Sequence, residues 1–210
     1  MSNSHTARIE IAGGIAAGKT TLARLLGESD PRVTVVEERY ADNPFWTRLP
    51  QAPSFFAREK NASFLAQHVG EIKSAPGPMV CDFAVFQDLA YASLQRDDLH
   101  LTAMRALYED LYARLPPPTL IVYLTCGTRE QLARIRARGR SEEGGLNLGY
   151  LQALNRAIEE YRAVIRPTTR VIEVSSQQID LHRDALAAIS WARHLLASVL
   201  DNPPATAAPA

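Results

Sequence analysis

The segment Gly13-Gly14-Ile15-Ala16-Ala17-Gly18-Lys19-Thr20 constrains this chain more than any other. It fits the pattern G-x-x-x-x-G-K-[ST] without a mismatch. Ile9 to Ala12 precede it and read as a strand, and Thr21 to Leu26 follow and read as a helix. Glycines let a backbone wrap an anion without a Cβ clash. The wrapped N–H groups and the helix N-terminus then point at phosphates. In such a loop Gly13, Gly14, Ala16, Ala17, Gly18 and Thr21 bind the phosphates of ATP, Lys19 neutralises them, and Thr20 holds Mg²⁺ through its hydroxyl. The competing reading is a plain glycine-rich turn, which the strand–loop–helix context disfavours.

A strand followed by a phosphate loop and a helix calls for a parallel sheet, and the rest of the chain supplies one. Short apolar runs at Arg8–Ala12, Thr34–Val36, Met79–Cys81, Leu120–Leu124 and Val171–Val174 read as buried strands. Helical patterns alternate with them: Thr20–Gly27, Ser54–Lys73, Leu99–Leu115, Arg129–Arg138, Leu148–Ile165 and Leu181–Leu200. The expectation is an α/β three-layer sandwich of the phosphate-loop NTPase type, with five parallel strands flanked by helices. At 210 residues one domain over residues 1–200 is expected. The Pro/Ala-rich stretch from Asp201 to Ala210 reads as a loose tail.

Charge narrows the partners. With 23 basic and 23 acidic residues the net charge is zero, which disfavours a nucleic-acid coat or a membrane-surface role. No apolar run is long enough to cross a bilayer, and the polar start Met1-Ser2-Asn3-Ser4-His5 lacks a signal-peptide core. Cys81 and Cys126 show no metal spacing and read as buried free thiols in a reducing cytoplasm. The scattered histidines read as surface or packing residues, with no metal site among them.

In an open parallel sheet, ligands bind beyond the carboxyl ends of the strands. Those positions hold the phosphate loop after the first strand, Glu37 and Glu38 after the second, and Asp82 after the third. Glu38 or Asp82 can accept a proton from an acceptor hydroxyl or help to hold Mg²⁺. Either residue, taken singly, could equally cap a helix or sit on the surface; the phosphate loop on the same edge favours chemistry. Arg134, Arg136, Arg138 and Arg140 form a second cluster. Arg134 and Arg138 share a helix face, and Ser141 to Gly145 look like a mobile loop. Planar guanidinium forks suit phosphate oxygens, so the cluster reads either as a lid that closes on a triphosphate or as a solvated basic face.

These residues together resemble the deoxynucleoside kinases over about Arg8 to Val174. The most specific stretch is Arg138-Gly139-Arg140-Ser141-Glu142-Glu143 with Tyr150-Leu151 after it, similar to that family's lid and the helix behind it. Glu37-Glu38 ahead of Asp42-Asn43-Pro44-Phe45 looks like the acidic segment of the bacterial deoxyguanosine/deoxyadenosine kinase-like branch. The resemblance implies transfer of the ATP γ-phosphoryl group to the 5′-hydroxyl of a deoxynucleoside. It makes Glu38 the general base, with Lys19, Arg138 and Arg140 in catalysis and Arg134 and Arg138 on ATP. It assigns Asp82 to Mg²⁺ and the 5′-hydroxyl, Gln67 and Asp88 to the base, and Glu143 to the sugar 3′-hydroxyl. Phe83 and Phe56 stand where the family often has Arg and Tyr, so Phe56 walls the sugar pocket without a hydrogen bond. Asp88 and Gln67 together favour an amino-bearing purine. The resemblance also implies a homodimer, for which the Leu99–Leu115 helix is a candidate face, although the same stripe serves equally as core packing. Two other readings stay open: a nucleoside monophosphate or other small-molecule kinase, and a non-catalytic nucleotide-binding interaction protein.

Overall fold

The computed structural model describes residues 7–46, 56–140, 143–165, 169–177 and 185–201. Five strands, β1 (Arg8–Gly13), β2 (Thr34–Val36), β3 (Met79–Cys81), β4 (Leu120–Thr125) and β5 (Arg170–Ser175), form one sheet in the order β2-β3-β1-β4-β5. Every pairing is parallel, with Ile9 beside Val80 on one side and Leu120 on the other. The expected strands are thus all present, each within a residue of its expected bounds. The helices are α1 (Lys19–Ser29), α2 (Ala57–Ser74), α3 (Gln87–Ser93), α4 (Asp98–Tyr112), α5 (Thr128–Arg138), α6 (Leu148–Tyr161) and α7 (Ala185–Leu200).

Strand side chains alternate between faces, and the two faces build two cores. Ile9, Ile11, Val80, Val122 and Leu124 pack with Leu22 and Leu26 of α1 and Leu196 of α7. Cys81, Ile121 and Tyr123 pack with Leu65 of α2, Leu89 of α3, Met104 of α4 and Leu154 and Ile158 of α6. The sheet is therefore the middle of three layers, as expected. The α3 helix has no counterpart in the sequence reading. It is one short segment, Gln87–Ser93, that lies directly against the sheet's ligand edge. The α4 helix also turns a different face inward. Its buried positions are His100, Met104, Tyr108 and Tyr112, four apart, whereas Leu101, Leu107 and Leu111 are only partly buried. Ser54 and Phe55 of the expected second helix, residues 181–184 of the expected last helix and residues 202–210 of the expected tail lie outside the described residues. Cys81 is buried as expected, but Cys126 is partly exposed at the end of β4.

The β1 strand hides a charge pair that its apolar reading overlooks. Arg8 and Glu10 are 4% and 0% exposed and point into the same layer, with Arg8 Nε 3.0 Å from Glu10 Oε1. Arg8 also donates to the Pro116 carbonyl at 2.8 Å, and Glu10 accepts the Val85 N–H at 3.2 Å. Burial pushes the Glu10 carboxyl up, and Arg8 opposes that shift. Removing one partner would leave a buried charge without compensation, a loss of about 3–5 kcal/mol. Urea unfolding should show Arg8→Met destabilised by about that much, and the double change Arg8→Met/Glu10→Leu should recover most of the loss.

Candidate active site

The strand ends open on a cavity of about 1220 Å³. The phosphate loop forms its floor. Gly13 has φ 145° and Gly18 has φ 103°, both in the region that side chains disfavour, and Ala16 between them also has positive φ at 59°. A Cβ on Gly13 would lie 2.6 Å from the Leu124 carbonyl oxygen, so the close approach of β4 excludes any side chain there. Gln87 grips Gly13 from both sides, its Oε1 accepting the N–H at 3.2 Å and its Nε2 donating to the C=O at 3.1 Å. Lys19 Nζ donates to the carbonyls of Gly13 at 3.0 Å and Gly14 at 3.2 Å. Burial pulls the Lys19 ammonium down from its ordinary range, and Glu38 and Asp82 pull it back up. A cation in this position faces the region where a triphosphate would bring further negative charge.

Asp82, from the end of β3, joins the start of α1 to the segment after β2. Its Oδ2 accepts the Thr20 hydroxyl at 2.7 Å, and its Oδ1 accepts the Glu38 backbone N–H. Burial raises the Asp82 carboxyl, while these hydrogen bonds lower it. Glu38 is half-exposed and lines the cavity beside Lys19. Burial by itself would raise its carboxyl, but His68, Lys19 and Lys60 overcome that and hold it below the ordinary carboxylate value. Glu37 also borders the cavity, held in a bidentate pair with Arg24 at 2.6 and 3.0 Å.

The acceptor wall comes from α2, α3 and the segment after β2. Tyr40, Trp46, Phe64 and Tyr91 supply aromatic surface, with the Trp46 and Phe64 rings edge-to-face at 6.0 Å. Asp88 lines this wall as expected. Gln67 does not: its Nε2 donates to the Arg39 carbonyl and to Glu71, both at 3.1 Å, on a different side of α2. The amide that faces the cavity from α2 is Asn61, six residues earlier and 3% exposed. The spacing Asn61, Phe64, His68 is the helical face toward the site, and Gln67 falls off it. Phe83 is also behind the wall, stacked flat on His68 with ring centroids 4.0 Å apart. Phe56 sits at the start of α2 with its ring 6.0 Å from that of Phe45, and it does not line the cavity.

His68 is the member of the site that its scattered histidine pattern concealed. Its Nδ1 is 2.9 Å from Asp88 Oδ2 and its Nε2 is 3.4 Å from Glu38 Oε1. Burial disfavours its charge, but the two carboxylates prevail, and its pKa is pushed up to about 10.

Across the cavity stand the arginines. Arg134 pairs with Glu130 at 2.8 Å and reaches the Ala16 carbonyl and Ser176 Oγ at 3.4 and 3.3 Å, which places it beside the phosphate loop. Arg138 forms a bidentate pair with Glu143, and Arg140 lies 3.8 Å from the same carboxylate. The Arg140 guanidinium also sits 5.1 Å above the Tyr40 ring, so the arginine segment meets the acceptor wall. The α5 helix ends at Gly139 as expected; Ser141 and Glu142 of the expected loop lie outside the described residues. Arg136 is exposed and takes no part in the lining.

A histidine whose pKa is higher in the folded than in the unfolded chain adds stability below the unfolded value and loses it as pH rises through the folded value. The stability difference between the wild type and His68→Gln should therefore be full below about 6.5 and vanish as pH rises through about 10, in denaturant titrations across that range.

Comparison with known proteins identifies the family and matches the fold. Residues 9–196 match the family described as deoxynucleoside kinase. The deoxyguanosine kinase of Bacillus subtilis (strain 168) is 26% identical over 165 residues, covering 75% of this chain and 78% of that protein. The deoxyadenosine kinase of Dictyostelium discoideum is 29% identical over 176 residues, covering 80% of this chain and 71% of that protein. A solved structure of deoxyadenosine kinase from M. mycoides with bound dCTP superposes with a TM-score of 0.73 at 19% identity, over 91% of this chain and 100% of that one. A second structure of that enzyme, with bound dATP, gives a TM-score of 0.69 at 20% identity, over 87% and 100%.

Proposed function

The chain belongs to the deoxynucleoside kinase family, and on that premise we propose that it phosphorylates the 5′-hydroxyl of a purine deoxynucleoside with ATP and Mg²⁺. The observation that carries this reading is the shared cavity: the phosphate loop, Lys19, Glu38 and Asp82 all face one space, with aromatic walls on one side and arginines on the other. About 1220 Å³ is room for two substrates side by side, above the usual span for one small ligand. The family match over residues 9–196 supports treating residues 1–200 as one kinase domain.

ATP lies with its phosphates over the loop N–H groups, Lys19 and Arg134. Thr20 and Asp82, already hydrogen-bonded through two oxygen-bearing side chains, are a donor set that suits a hard cation. Bound there, Mg²⁺ would neutralise phosphate charge. Glu38 takes the proton of the 5′-hydroxyl as that oxygen bonds to the γ-phosphorus and the bond to the departing ADP oxygen breaks. Its depressed pKa keeps it ionised and ready at neutral pH. Arg138 and Arg140 leave Glu143 for the transferring group, which frees the Glu143 carboxylate for the sugar 3′-hydroxyl.

The purine preference draws on the deoxyguanosine and deoxyadenosine kinases among the relatives and on two polar groups of the acceptor wall, Asn61 and Asp88. Asn61 takes the place in this reading that the family resemblance assigned to Gln67. A cytoplasmic setting fits the free thiols and the absence, among the described residues, of a helix long and apolar enough to cross a membrane. A homodimer through α4 is part of the same reading, because Leu101, Leu107 and Leu111 are left at the edge of the core.

Purified protein with ATP, Mg²⁺ and the four common deoxynucleosides should yield 5′-monophosphates, fastest with deoxyguanosine or deoxyadenosine, in product chromatography. Glu38→Gln should lower kcat by about a hundredfold or more and leave ATP affinity unchanged in calorimetry. No monophosphate from any deoxynucleoside would refute the reading, and an unaltered rate would remove Glu38 from the mechanism.

A further inference from the structure

The reaction as read above names a base but not what aims it. Glu38 reaches the cavity from a short segment after β2, and its carboxylate is half-exposed. Its backbone is fixed by Asp82, yet its side chain needs a partner of its own to stay in one rotamer. The side chain that meets it is His68, which is 3% exposed and lies behind the acceptor wall.

The His68 ring is fixed on every side. Phe83 stacks on it at 4.0 Å with an angle of 15° between planes, and Phe64 lies 5.8 Å away on the same helix. Stacking sets the ring plane, and that plane directs one nitrogen to Asp88 and the other toward Glu38. A neutral imidazole carries one N–H, so one of the two carboxylates would face a lone pair. With a proton on each nitrogen, both carboxylates are served. The Phe83 face also favours a cation over a neutral ring. The position after Asp82 therefore holds an aromatic platform for a charge that arrives from α2.

We propose that His68 acts as an imidazolium that positions the catalytic base: Asp88 anchors the ring, and the Nε2–H holds one Glu38 oxygen so that the other faces the acceptor hydroxyl. The role rests on the reading of Glu38 as the base of a deoxynucleoside kinase. His68 itself touches neither substrate nor phosphate; it works through Glu38.

The surrounding charges determine what its loss would do. Asp88 and Tyr91 face the cluster from α3, Glu38 from the segment after β2, Lys60 from α2, Lys19 from α1, Asp82 from β3 and Glu10 from β1. Of these groups, the carboxylates Glu38, Asp82 and Asp88 stand against the cations Lys19, Lys60 and His68. Without the imidazolium, Glu38 and Asp88 lose the cation between them, and the Glu38 carboxylate loses the contact that sets its rotamer.

The test is kcat and KM at pH 8 for the wild type, His68→Gln and His68→Arg with ATP, Mg²⁺ and a deoxynucleoside. In His68→Gln kcat should fall about tenfold, with the deoxynucleoside KM and ATP affinity unchanged. His68→Arg keeps a permanent cation able to meet two carboxylates and should recover most of that loss. A loss carried by KM, or a loss in His68→Arg as large as in His68→Gln, would reduce His68 to a packing residue and overturn the proposal. Nitrogen chemical shifts of the His68 ring in the wild-type protein give a check that needs no variant: both nitrogens should be protonated at about pH 8, and a neutral tautomer there would overturn the proposal as well. A wild-type enzyme inactive on every deoxynucleoside would instead refute the functional reading, a result separable from either His68 outcome.

Discussion

The site depends on one carboxylate with two grips. Asp82 stands at the end of β3, between β1 and β2 in the sheet. One of its oxygens holds the Thr20 hydroxyl, at the start of the helix that follows the phosphate loop, and the other holds the Glu38 backbone N–H. The donor half and the acceptor half of the cavity are thereby set at a fixed separation by a single buried side chain. In-line phosphoryl transfer depends on such positioning, because the transferring group needs little covalent help from the protein.

Around that tie the protein assembles charges that are nearly balanced before any substrate arrives. Carboxylates and cations alternate along the acceptor wall, so the charge of each group is offset by a neighbour despite its burial. Across the cavity, Glu143 occupies Arg138 in the same manner. A triphosphate disturbs this balance in one direction, toward the arginines and Lys19. The negative charge it brings competes with Glu143 for Arg138 and Arg140, which gives the arginine segment a reason to rearrange when ATP binds. Beneath the sheet's other end, Arg8 and Glu10 solve the same problem of buried charge without any ligand.

The backbone architecture and the phosphate loop were legible in the sequence because both rest on local signals. Buried parallel strands are short apolar runs, and the loop glycines are dictated by positive φ and close approach at Gly13 and Gly18. The strand ends then located Glu38 and Asp82 without further help. Legibility failed where it depended on helix phase. On α2 the choice between Asn61 and Gln67 is a matter of which face meets the sheet, and packing of Leu65, Val69 and Ile72 decides it. On α4 the leucines suggested one face, and Tyr108 and Tyr112, with rings stacked at 4.9 Å, took the inner one instead. His68 and Gln87 were invisible for another reason. Each acts through partners far away in sequence, Asp88 and Glu38 for the first and Gly13 for the second, and no local pattern marks either.

The central claim is that Glu38 meets the acceptor hydroxyl in the same cavity in which the loop holds the phosphates. A crystal structure of the protein with ADP and deoxyguanosine tests it most directly. The account predicts ADP phosphates on the N–H groups of residues 14–20 and the sugar 5′-oxygen within about 2.6–3.2 Å of a Glu38 carboxylate oxygen. A nucleoside bound elsewhere, or Glu38 swung away from the 5′-oxygen with the loop occupied, would contradict it.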